Sequence, residues 1–385
     1  MYISLFLSKS RAKVQKNHDI KAQMTDIYAK YCTLLPFLCN FTSRMKPYGP
    51  FRVYIKDTNK TFPMKKLLTL LLLFNLSTAF GKWTTIRNGI LWTDTDGNTV
   101  QAHAPGFVYL DGRWYMVGED RANAFHPDVN LYSSPDLVNW KFERKIIQNG
   151  VTTPRLGRSR MIERAKLLYN EATQKFVVWC HYESGNYAAS EAACFESDSI
   201  AGTYRLIWSG RPMGIKSRDC NVFQDTDGTT YFVSTTEENQ HLGLFLLSED
   251  YHETVAHTQL LPYQRREAPV IVHVGERYFM FSSACTGWAP NQCKVCHSNS
   301  LTQGWSPLEN IGDETAFRTQ AAAILTIRGT KQTTYLYVGD RWMDPTLPES
   351  KIIIFPITFQ DDQCQFHYCE QFDIDFRTGR WRITK

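Results

Sequence analysis

One polar residue, a short strand, a turn and an aromatic-rich strand recur five times along this chain, and that repetition limits the fold more than any other property. Counted back from the aromatic that opens the second strand of each unit, His103 lies 11 residues before Trp114, Glu163 13 before Phe176, Asp219 12 before Tyr231, Glu267 11 before Tyr278 and Gln320 15 before Tyr335. Turn residues such as Asp111-Gly112, Asp227-Gly228 and Val274-Gly275-Glu276 separate the two strands of a unit, and helical periodicity is almost absent. The outer segments Ser134 to Trp140 and Ser298 to Trp305 share a Ser, Leu, Trp rhythm. Repeats of about fifty residues built from several short strands are the signature of propeller blades, each of which buries its faces against its neighbours. The expected fold is therefore all-β, a five-bladed β-propeller, with the first strand of each blade lining a central channel. A wet channel alone makes inner strands moderately polar. Three carboxylates brought together cost folding energy unless a ligand or a chemical task offsets it, so the five polar positions are read as a site.

The formal charge of +5 is unevenly placed: residues 1–63 hold eleven Lys or Arg against three Asp. Met64-Lys65-Lys66 then opens an apolar run from Leu67 to Leu76 that closes on Ala79-Phe80-Gly81. A positive start, a short apolar middle and a small-residue end read as a secretory signal peptide over 64–81, too short to span a bilayer. On this reading Met64 is the initiator, 1–63 is an upstream extension, and the mature chain is 82–385, secreted or periplasmic, with no stable membrane insertion. That remainder carries 30 basic and 35 acidic residues, so the basic total gives no argument for a nucleic-acid partner. Eight cysteines remain in it, too few for a disulfide scaffold, with Cys364 and Cys369 the expected pair if any forms. Cys293, Cys296 and His297 have the spacing of half a zinc site without a second half, and the Asp94 and Asp225 turns lack the Glu that ends a calcium loop. No metal or other cofactor is expected.

Five segments carry a family resemblance: Glu163-Arg164-Ala165-Lys166 before Tyr169-Asn170, Ser217-Arg218-Asp219 before Phe223, Arg266-Glu267-Ala268-Pro269, Thr286-Gly287-Trp288-Ala289-Pro290-Asn291 and Gly339-Asp340-Arg341-Trp342. Together they resemble glycoside hydrolase family 43, and within it the exo-β-1,3-galactanase branch, over essentially all of 82–385. The resemblance implies an inverting enzyme that removes galactose from the non-reducing end of β-1,3-galactan, the backbone of arabinogalactans. Two other readings stand beside it: a family 43 α-L-arabinofuranosidase or β-xylosidase, and a carbohydrate-binding propeller without turnover.

Inverting hydrolysis needs an acid for the leaving oxygen and a second group for the attacking water, roughly 6.5 to 9.5 Å apart. Glu267 suits the acid, because the apolar strand after it and the nearby Asp219 both raise its pKa. The resemblance implies that Asp219 tunes that acid and that Gln320 stands at the water side, where most of the family has an Asp on the first blade and this chain has His103. It also implies substrate contacts for Glu163, which is a second candidate for the water side, and for Glu119. Trp288 and Trp342 suit stacking on sugar faces, with Asp340 and Arg341 beside them in the motif. The chain departs from the branch at Ala165, where a proline is usual, and at Thr319 and Ala321, where serines flank the glutamine.

Overall fold

The computed structural model describes residues 83–122, 127–148 and 160–385. The extension over 1–63 and the signal peptide over 64–81 lie outside the described residues. Among the described residues no helix is long and apolar enough to cross a membrane.

Alternating apolar and polar residues make short strands, and nearly every strand pairs antiparallel with the next in sequence. After β1 (Thr84–Arg87), blade one runs from β2 (His103–Leu110) to β5 (Lys141–Ile147), and blade two from β6 (Arg160–Asn170) to β9 (Arg205–Gly210). Blade three runs from β10 (Ser217–Gln224) to β13 (Thr254–Leu260), blade four from β14 (Arg266–Val274) to β17 (Glu309–Ile311) and blade five from β18 (Gln320–Arg328) to β21 (Gln363–Phe366).

A sixth, three-stranded sheet corrects the expected count: β1 pairs with β22 (Gln371–Asp375), which pairs with β23 (Arg380–Ile383). Among the described residues the propeller is six-bladed, not five-bladed. Ile86, Phe372 and Ile374 of this sheet share one core with Trp114 and Met116 of blade one and Leu336, Ile352 and Ile354 of blade five. The sixth sheet was invisible to the repeat count because it has three strands and draws them from both ends of the described propeller. Thr85 reaches Asp373 with a 2.7 Å hydrogen bond across that separation. The inner strands on either side of this sheet, β2 and β18, also touch directly.

The other cores lie between adjacent blades, as the repeat logic demands. Val117, Ile162, Val178 and Phe195 fill the space between blades one and two, and Val270, Phe281, Tyr337 and Phe355 that between blades four and five. The expected Cys364–Cys369 bridge is absent and both thiols are free. Cys364 packs with the core of blades four and five, whereas Cys369 packs with the core around the sixth sheet.

One backbone device recurs on every inner strand. In β2, β6, β10 and β14 the register is broken by two unpaired residues near the start of the strand, between His103 and Gly106, Glu163 and Lys166, Ser217 and Cys220, and Glu267 and Val270. In β18 it breaks between Ala321 and Ala323. Ala104, Arg164 and Ala268 follow their polar residues with positive φ of 47°, 52° and 52°. A bulge of this kind bends the strand and re-aims its side chains, here toward the channel.

Candidate active site

The bulges fix which residues are equivalent. His103 pairs with Glu119, Glu163 with His181, Ser217 with Thr236, Glu267 with Ser283 and Gln320 with Asp340. Directly paired side chains share a face of their sheet, so the channel is ringed by these pairs rather than by single residues. Asp219 is not at the equivalent position, which Ser217 holds. It sits inside the bulge two residues on, and counting from the aromatic could not separate the two.

Arg164 ties the site together. Its Nε lies 2.8 Å from Asp219 Oδ2, its Nη2 donates to Gln320 Oε1 at 2.6 Å, and its backbone N–H donates to Glu119 Oε1 at 2.7 Å. The Gln320 oxygen also accepts from Trp342 Nε1 at 3.0 Å, and the amide nitrogen donates to Ser283 Oγ at 3.0 Å. Arginine and indole nitrogens only donate here, so the amide orientation follows from its partners. Both lone pairs of the oxygen are engaged, and one amide hydrogen remains.

Glu267 stands apart from this network. Asn239 Nδ2 donates to its Oε1 at 2.9 Å, and the backbone N–H of Ala268 donates to Asp219 Oδ2 at 3.1 Å, which holds the second carboxylate beside it. Burial, reinforced by the charge of Asp219, raises the Glu267 pKa to about 7, with Arg164 opposing. Cys285 neighbours it as a neutral thiol whose own pKa is pushed up to about 11, chiefly by burial.

Glu163 is held in the opposite state. Its Oε1 accepts from Arg121 Nη2 at 3.0 Å and from Tyr187 Oη at 2.8 Å, and its Oε2 lies 3.2 Å from His181 Nδ1. Burial would raise its pKa, but the His181 hydrogen bond and the Arg121 charge outweigh it and hold the carboxyl well below the usual range. His181 is also buried, which would lower its pKa. Hydrogen bonds to Glu163 and, at 3.1 Å, to Glu183 raise it instead to about 9, so it is an imidazolium between two carboxylates. Arg121 also pairs with Glu119, whose pKa burial pushes upward.

Aromatic rings border the polar groups. Trp288 and Trp342 meet edge to face at 4.8 Å, and the Arg121 guanidinium lies 5.1 Å from one ring and 5.8 Å from the other. A cleft is lined by Trp288, Pro290, Asn291, Gln320, Asp340 and Trp342. His103 is fully buried, its ring 5.8 Å from Trp342 and its Nδ1 3.5 Å from Asp340 Oδ1. Asp340 Oδ2 accepts the Ala104 N–H at 2.9 Å. Arg341 points elsewhere, donating to the Phe317 carbonyl at 2.8 Å and to Tyr368 Oη at 3.1 Å. The structure therefore brings Glu119, Glu163, Asp219, Gln320 and Trp342 into one connected cluster, sets Glu267 beside it next to Asp219, and leaves Arg341 outside.

A buried lysine reaches into the channel alongside this cluster. Lys166 Nζ donates to the carbonyls of Ala104 at 2.8 Å, Pro105 at 2.7 Å and Ala322 at 3.2 Å, joining blades one, two and five. Burial and the Arg164 charge lower its pKa to about 7. Gly106 makes room for it: a Cβ there would lie 2.9 Å from the Lys166 Cα and from the Ala165 carbonyl.

The motif reading did not find Arg121, His181, Tyr187 or Asn239. They lie on second strands and turns, where no repeat marks them.

Residues 119–343 match the model of glycosyl hydrolases family 43. Among solved structures, an exo-β-1,3-galactanase from Clostridium thermocellum is 36% identical, with 78% of this chain and 68% of that chain covered and a TM-score of 0.75. An exo-β-1,3-galactanase from Phanerochaete chrysosporium, solved with β-1,3-galactotriose, is 30% identical over 78% of this chain and 71% of that one, with a TM-score of 0.74. An α-L-arabinofuranosidase from Clostridium thermocellum, 18% identical over 68% of this chain and 92% of that chain with a TM-score of 0.52, shares the fold alone. A search of the curated proteins found no match.

Proposed function

Because the chain belongs to glycosyl hydrolases family 43, we propose that this glycoside hydrolase is an inverting, exo-acting enzyme that releases galactose from β-1,3-galactan, with Glu267 as its general acid. The observation that carries the reading is the contrast in charge within one channel. Glu267 is held near pKa 7 and so keeps a proton to give at slightly acidic pH. Glu163 is held ionised by Arg121, His181 and Tyr187. A pure binding module has no use for a carboxyl kept neutral beside a second carboxylate.

Asp219 raises and orients the acid, and Arg164 fixes Asp219. On the water side, the remaining amide hydrogen of Gln320 and the unused lone pair on Glu163 Oε2 hold the attacking water between them. As water adds to the anomeric carbon, its proton passes toward Glu163 while Glu267 gives its own to the leaving oxygen. A carboxylate of such low pKa is a weak base, so the acid step supplies most of the acceleration. The similarity to two galactanases at 30% identity or above supports galactan over an arabinoside or xyloside. Export, implied by residues 64–81, places the enzyme where such polymers are met.

The test is product analysis on β-1,3-galactooligosaccharides, with the anomer read by NMR in the first minutes. Free α-galactose released one unit at a time is the expected result. Release from aryl arabinosides or xylosides with none from the galactooligosaccharides would replace the sugar assignment, and no turnover on any of the three would leave the binding module.

A further inference from the structure

A general acid protonates the glycosidic oxygen from the side on which the leaving group sits, so whatever holds the remainder of the polymer must stand beyond Glu267. One exposed aromatic is fixed there. Tyr263 has 78% of its surface open to solvent, the largest share of any large apolar residue described. It belongs to the strap 261–265, which joins β13 to β14 and leads directly into Arg266 and Glu267. Four residues span at most about 14 Å, which bounds the separation of the Tyr263 and Glu267 Cα atoms.

The strap is anchored. The Tyr263 backbone N–H donates to His241 Nδ1 at 3.0 Å, and the two rings meet edge to face at 4.6 Å. His241 lies two residues from Asn239, whose amide holds Glu267, so one turn grips both the acid and the strap. Leu261, Tyr263 and Arg265 have positive φ of 41°, 59° and 51°. Each is a costly conformation for a side chain with a Cβ, and such strain persists only where the surroundings enforce it. On either side of Tyr263, Leu261, Pro262 and Gln264 of the strap line, with Gln259, an open groove toward Gln303 and Trp305 of blade four that offers amide groups and an indole.

We propose that Tyr263 is the floor of an aglycone subsite, stacking on the first sugar of the leaving chain and directing the polymer toward the groove between blades three and four. A phenol ring suits this task, with an apolar face for the C–H side of a pyranose and a hydroxyl left in water. The inference rests on the galactanase reading, because it takes the leaving group to be a β-1,3-linked galactose chain.

The experiment compares β-1,3-galactotriose with β-galactosyl fluoride, which has no sugar on the leaving side. In Tyr263→Ala, kcat/KM on the triose should fall about tenfold, mostly through KM, as for lost binding shared by ground and transition states. The fluoride should be cleaved as by the wild type. Tyr263→Phe should keep triose kinetics, and His241→Ala should lose part of them. Unchanged triose kinetics in Tyr263→Ala, or an equal loss on both substrates, overturns the subsite while leaving the galactanase reading intact. A wild-type enzyme inactive on both galactosyl substrates overturns that reading and the subsite with it.

Discussion

Glu163 and Glu267 occupy the same register position in blades two and four, each the last paired residue before a bulge, and their surroundings drive them to opposite states. Glu163 is met by a guanidinium, an imidazolium and a phenol. Glu267 is met by one neutral amide and by the charge of Asp219. Backbone geometry thus delivers a carboxyl to the channel, and the groups around it decide whether it keeps a proton. Opposite Glu163 the second strand places His181; opposite Glu267 it places Ser283. A donor that carries charge makes one carboxyl an anchor, and a small hydroxyl leaves the other free to act.

The sharpest way to break this contrast is at the acid. Glu267→Gln should lower turnover on galactan by about a hundredfold to ten-thousandfold, while a substrate whose leaving group needs no proton is much less affected. Equal losses on both, measured by initial rates, would make Glu267 a binding residue like Glu163. Next in size is the water side. Gln320→Ala should cost about a hundredfold in kcat, with near-normal turnover removing Gln320 from the mechanism. Gln320→Glu adds a negative charge beside the others, so it should retain some activity with the alkaline limb of its pH profile displaced upward.

The anchor is tested by stability. Arg121→Met strips Glu119 and Glu163 of a shared buried cation, and breaking such pairs costs about 3 to 5 kcal/mol. Urea unfolding should show it, and a loss below 1 kcal/mol would mean that these carboxyls are held by other groups. The smallest expected effect concerns Asn239, which favours the ionised form of Glu267. The wild-type alkaline limb of kcat/KM should fall near pH 7, because activity needs the protonated acid and disappears as pH rises through its pKa. Asn239→Ala should move that limb upward by about half a unit, and a downward move would show that the amide stabilises the neutral acid instead.

Much of this was legible in the sequence because it repeats. Four of the five polar positions counted from the turn aromatics hold their register, and the raised pKa of Glu267 follows from the apolar strand after it. What was hidden does not repeat. Ser217, not Asp219, holds the equivalent position in blade three, since a bulge shifts register without altering the rhythm of apolar residues. Arg121 reaches Glu163 from the neighbouring blade, and His181 and Tyr187 reach it from the second strand of its own blade and the turn that follows, contacts for which a single sequence carries no signal. The sixth sheet escaped for the same reason.

That sixth sheet also sets a schedule. β1 precedes all five four-stranded blades in the chain, yet its partner β22 begins only at Gln371. Each four-stranded blade is contiguous in the chain and gains all its strands as it emerges, while Thr84–Arg87 waits with an unpaired edge until almost the whole domain has followed it. The ring of blades is thus clasped only after all five blades between β1 and β22 have been made, and its closure reports that each of them has been delivered.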